Sequence, residues 1–93
     1  MIPRWWRVAV WFEEPDGDLF TQTFHVRAVT ELKARSLVDA ALEGRKHTVY
    51  VCHPSDPLNK ASREEFIAAT YGPYRRDRGD PSLRLLLASN DDG

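Results

Sequence analysis

Near its start the chain carries a run in which almost every position is apolar: Trp5, Trp6, Val8, Ala9, Val10, Trp11 and Phe12, interrupted only by Arg7. Side chains alternate across a strand, so Trp6, Val8, Val10 and Phe12 fall on one face and Trp5, Arg7, Ala9 and Trp11 on the other. One face serves a core; the second calls for a cover or a partner. The run stops at Glu13-Glu14-Pro15-Asp16-Gly17-Asp18, where proline suits the second position of a turn and glycine accepts a positive φ. A hairpin follows, with a returning strand predicted over Leu19–Ala28. In it Phe20, Gln22, Phe24, Val26 and Ala28 alternate with Thr21, Thr23, His25 and Arg27, the pattern of a half-buried antiparallel strand.

The period then changes. Thr30 is placed to cap a helix running to Glu43, with Gly44 as its left-handed end and Ala34, Leu37, Val38, Ala41 and Leu42 as its apolar stripe. Glu31, Arg35 and Asp39 make a solvated ladder on its outer side. His47–Cys52, with the β-branched Thr48-Val49-Tyr50-Val51, predicts a third strand. After a loop with Pro54 and Pro57, Ser62 and Glu65 match a capping box, so a second helix is predicted from Ser62 to Tyr71. Phe66, Ile67, Thr70 and Tyr71 form its inner side, and Gly72-Pro73 stop it. A charged loop, Tyr74 to Pro81, leads to a last strand over Ser82–Ala88.

The expected fold is therefore α+β: one mixed sheet, in chain order β-β-α-β-α-β, with both helices packed on a single face. Residues 1–88 would make one domain and 89–93 a flexible acidic tail. The uncovered face would then present Trp5, Arg7, Ala9 and Trp11 from the first strand beside Thr21, Thr23, His25 and Arg27 from the second.

Composition narrows the function classes. With 13 Lys and Arg against 14 Asp and Glu, the net charge is −1, so no global field draws the chain to nucleic acid or to an anionic membrane, and any such binding must be local. Cys52 is the only cysteine, which excludes an internal disulfide. The first residues lack a secretory h-region and no stretch approaches the length of a membrane span, so a cytoplasmic, membrane-free setting is expected.

A strand ending Phe24-His25-Val26-Arg27-Ala28 that passes through Thr30 into an alanine-containing amphipathic helix resembles a unit found in small accessory proteins of bacteriophages and their hosts. It spans about the first half of the chain and has no catalytic residues to carry across. What the resemblance implies is action by binding another macromolecule.

Catalytic and metal chemistry find little purchase. His25, His47, Cys52 and His53 are competent zinc ligands, but Cys52 and His53 are adjacent and in an extended chain point apart, and no paired knuckle is present. The same geometry disfavours Cys52 as a nucleophile, and no oxyanion element is recognisable. Glu13, Glu14, Asp16 and Asp18 crowd a turn without the frame of a calcium loop. No metal, cofactor or small-molecule substrate is therefore expected. Tryptophan, tyrosine and arginine dominate interface hot spots, and two tryptophans exceed what a solitary domain normally leaves in water. The reading is a non-enzymatic interaction module that binds a host protein or a second copy of itself, through Trp5, Arg7, Trp11, Arg27, Arg75, Arg76 and Arg78. The alternative is a single-strand nucleic-acid binder that stacks bases on the same rings; a small enzyme comes third.

Overall fold

In the computed structural model, which describes residues 2–55 and 64–76, the elements are β1 (Arg4–Glu13), β2 (Leu19–Ala28), α1 (Glu31–Ala41), β3 (Thr48–Ser55) and β4 (Phe66–Arg76). The hairpin between β1 and β2 closes as its residues predict. Gly17 takes φ 91° and donates to Glu14 O at 2.8 Å, while the Asp16 carboxylate accepts from Asp18 N at 3.0 Å. Ten residues of each strand pair in register from Arg4 with Ala28 to Glu13 with Leu19.

Thr30 caps α1 with its hydroxyl, accepting from Lys33 N at 3.1 Å, in an extended backbone conformation. The helix ends two residues before the expected Glu43; Leu42 caps it, and both Glu43 and Gly44 then adopt positive φ. α1 carries the chain across β1 to β3, touching all four strands on one side of the sheet. The strand order is β3-β1-β2-β4, and every pairing is antiparallel.

Two expectations are corrected here. The sheet is antiparallel, not mixed, and of the segment expected as a second helix, Ser62 to Tyr71, the residues from Phe66 on belong to strand β4, so the described residues hold one helix on a four-stranded sheet. The physical reason lies in the register of β4. Its pairing with β2 shifts twice, between His25 and Val26 and again between Thr21 and Thr23. Each shift inserts an extra residue and breaks the two-residue alternation. Phe66, Ile67, Thr70, Tyr71 and Tyr74 therefore recur at intervals that imitate a helix, although the chain is extended. Glu65, read as the capping-box acid, accepts from Val29 N at 2.9 Å instead, tying the start of β4 to the residue just before α1. The predicted last strand Ser82–Ala88, the tail 89–93 and Arg78 lie outside the described residues.

The core fills the space between α1 and the sheet. Trp6, Val8, Val10, Phe12, Phe24, Val26 and Ala28 from the sheet meet Ala34 and Val38 from the helix, with Phe20, Leu37, Val49, Cys52 and Ile67 at the margin. The Trp6 indole N–H is satisfied inside this core by Ala28 O at 2.9 Å. At the hairpin end, Arg45 ion-pairs with Glu14 and sets its guanidinium 4.7 Å from the centre of the Phe12 ring, fastening the segment after α1 to the turn.

Candidate functional site: the helix-free face of the sheet

Directly paired residues of antiparallel strands share a face, so the register lays out the helix-free side as five rows across the sheet. The first is Ser55, Trp5, Arg27, Phe66; the second His53, Arg7, His25, Ala69; the third Val51, Ala9, Thr23, Tyr71; the fourth Thr48, Trp11, Thr21, Tyr74; the fifth, on three strands only, Glu13, Leu19, Arg76. Three irregularities adjust this lattice, the one between His25 and Val26 setting Phe66 and Ala69 on the same face although they are three apart. A register shift opposite Ala9 and Val10 turns Tyr50 toward Trp11 and Leu19, against which it packs. In β4, Gly72 and Pro73 both stand opposite Gln22, and the added residue brings Tyr71 and Tyr74 to the same face although they are three apart.

Gly72 is required for this arrangement. Its φ is +101°, and a Cβ there would lie 2.8 Å from Thr21 O and 3.0 Å from Tyr74 N, closer than side-chain atoms are found.

The face is not uniform. Its hairpin end forms a second small core: Trp11 and Leu19 are buried against Tyr50, and Ala9 and Thr21 are buried beside them. Arg76 closes that end by donating from Nε to Thr21 Oγ1 at 3.0 Å. The other end stays open as a chain of rings. Phe66 meets Trp5 edge-on with centroids 6.0 Å apart, Trp5 lies 6.4 Å from His25, and His25 meets Tyr71 edge-on at 6.2 Å. Such separations and tilts are those of favourable aromatic pairs. The Arg27 guanidinium lies 5.5 Å from the Trp5 ring centre, and only 3% of Arg27 is exposed. The outer members reach solvent: Phe66 is 37%, Tyr71 50% and Tyr74 58% exposed. Arg7 and His53, side by side in the second row, are exposed as well.

The residues expected to bind thus separate. Trp5, Arg7 and Arg27 come together in the first two rows. Trp11, at 9% exposure, sits in the second small core, away from the open rings. Arg76 is held by Thr21, and Arg75 pairs with Asp18 at 3.2 Å beside the hairpin. Phe66, His25, Tyr71 and Tyr74 join the face without having been singled out. For the β4 residues the signal was masked by the helix-like spacing; His25 was already visible on the outward side of the second strand.

Among the described residues two buried side-chain polar atoms lack a hydrogen-bond partner, Trp11 Nε1 and Ser55 Oγ. Both belong to this face, in its fourth and first rows. Buried polar groups are normally paired, and the corresponding indole on the helix side, Trp6, is.

Chemistry elsewhere is sparse. Cys52 packs against the helix-side core while His53 points to the opposite face. Burial pushes the Cys52 thiol up from its ordinary value, with Glu31 adding to the rise and Arg35 opposing it. His47 joins α1 to β3, its ring nitrogens 2.7 Å from Arg45 O and 2.7 Å from Asp39 Oδ1. Among the described residues no three His, Cys, Asp or Glu side chains gather as a metal site would require, and no helix is long and apolar enough to cross a membrane. No protein-family model, curated protein or solved structure matches the chain.

Proposed function

We propose that the protein is a non-enzymatic binding module that holds a macromolecular partner against the open end of its helix-free sheet face. The observation that carries this reading is the continuous ring chain Phe66, Trp5, His25, Tyr71, with its outer members in solvent. Rigid rings offer a large contact area at small entropic cost, which is why aromatic residues and arginine concentrate in interface hot spots. Arg27 packs against Trp5 and presets the ring, so little ordering is left to be done on binding. The expected accessory-protein role, in a reducing cytoplasm suited to a lone cysteine, fits a module of this kind.

A photo-crosslinking amino acid tests the assignment. Placed at Tyr71 it should join the protein to a partner in the producing cell; placed at Lys33, on the exposed side of α1, it should not. Equal crosslinking from the two positions, or none from Tyr71, would overturn it.

A further inference from the structure

The charges on the face indicate what lies on it. In the first four rows the charged or basic side chains are Arg7, Arg27, His25 and His53, with no carboxylate; the fifth row, at the hairpin end, sets Glu13 and Arg76 on either side of Leu19. Yet the chain as a whole carries one more acidic than basic residue. Among the described residues the acids stand elsewhere: Glu14, Asp16 and Asp18 at the hairpin, Glu31, Asp39 and Glu43 on or beside α1, and Glu65 engaged with Val29. Glu13 alone stands in the rows, in the fifth, away from Arg7 and the ring chain.

The order of the rows adds a second argument. Arg7 and His53 lie between the rings of the first row, Trp5 and Phe66, and Tyr71 of the third. A protein interface usually has an apolar centre depleted of charge and a polar rim; here the exposed guanidinium of Arg7 stands on β1 in the row between Trp5 and Tyr71, beside the ring chain rather than at a distant rim. Exposed rings beside an exposed guanidinium suit a chain of flat bases joined by phosphates. Arg7 enters no ion pair among the described residues, so its charge is available to an incoming anion. The face is four strands wide, about 14 Å at the usual strand spacing, enough for roughly two or three bases.

We propose that the occupant is single-stranded nucleic acid, its bases stacked on Phe66, Tyr71 and the exposed part of Trp5, and its phosphates placed against Arg7 and His53. The proposal rests on the binding-module reading and adds the partner's chemistry to it.

Fluorescence anisotropy with labelled single-stranded DNA and RNA about ten nucleotides long, at roughly 50 mM salt, tests it. The expected result is binding in the micromolar range that weakens steeply with added salt and is much poorer for duplex. Tyr71→Ser should weaken it by about tenfold or more, the worth of one stacked base. Arg7→Gln should weaken it and make the salt slope shallower by about 0.7, the value for one phosphate of a single strand. Arg35→Gln, on α1, should leave it unchanged, and circular dichroism should report the same fold for all three variants. Absence of binding to either single strand, or equal affinity for duplex, would overturn the nucleic-acid assignment. If a nuclease-resistant protein still crosslinks at Tyr71, the face remains the binding surface with another occupant. Binding that Tyr71→Ser and Arg7→Gln leave intact would overturn the assignment of this face as well.

Discussion

Three tryptophans separated by at most six positions have different environments, and substitution should resolve them. Trp6 is buried between sheet and helix with its N–H satisfied; Trp6→Ala opens a cavity there and is expected to cost about 3 to 5 kcal/mol. Trp11 is nearly as buried, on the other side, but its N–H has no partner. Trp11→Phe leaves a small void but also removes that unsatisfied donor, so its cost should be clearly smaller than that of Trp6→Ala. Trp5 is only half-buried, and Trp5→Phe should fall within about 1 kcal/mol of wild type. Urea unfolding of the three variants checks the order. The alternation of the first strand was legible in the sequence and assigned each tryptophan to its correct face. It could not reveal that Trp11 is covered and Trp5 partly open, because burial on the second face depends on Leu19 and Tyr50, the latter turned inward by a register shift that no local pattern announces.

Cys52 yields a pH dependence at the same scale. Its thiol pKa is raised in the folded state, chiefly by burial, so the folded protein holds this proton more tightly than the unfolded chain does. The resulting contribution to stability is complete below the ordinary thiol range, about 8.5, and is lost as pH rises through the higher folded value. Stability measured by urea should decline at alkaline pH, and Cys52→Ala should flatten that decline. Alkylation of the native thiol at neutral pH should be slower than that of an unfolded control, because less of it is thiolate.

Among the elements, β4 shows where local reasoning stops. The hairpin and α1 were readable because turn residues, capping hydroxyl and period agree, and each acts within a few residues. β4 was not, because its two register shifts are imposed by β2 and make an extended segment repeat like a helix. Gly72 supplies the second shift. Gly72→Ala would force a Cβ to within 2.8 Å of Thr21 O at a φ that side chains resist, a strain of about 1 to 3 kcal/mol. The relief available is for the strand to revert toward simple alternation, which would rotate Tyr74 off the shared face. Gly72→Ala should therefore lower the melting temperature and, in nuclear Overhauser spectra, separate the Tyr74 ring from Thr21. A lower melting temperature with that contact unchanged would mean that the strain is absorbed elsewhere in the strand.

At the scale of the whole molecule, order is distributed from the centre of the sheet outward. β1 and β2 are each paired on both sides, and together they bring most of the core to α1. Among the described residues β3 and β4 are each paired along one side only, β3 against β1 and β4 against β2, and each contains a proline that gives no amide to a ladder. Local opening that strips an outer strand exposes little of the core, whereas separating β1 from β2 exposes nearly all of it. Amide exchange under native conditions should therefore show the strongest protection at Val8, Val10, Phe24 and Val26, approaching the free energy of global unfolding, with faster exchange along β3 and β4. Tyr71 and His53, which carry the outer parts of the open face, lie on those less protected strands, while Trp5 and Arg7 lie on the most protected one. A partner that binds across the rows holds an outer strand to the centre, so its arrival should slow exchange in β4 more than in β1. Uniform protection of all four strands in the unbound protein would contradict this ranking, and slowing confined to α1 on addition of a partner would place that partner on the opposite side of the sheet.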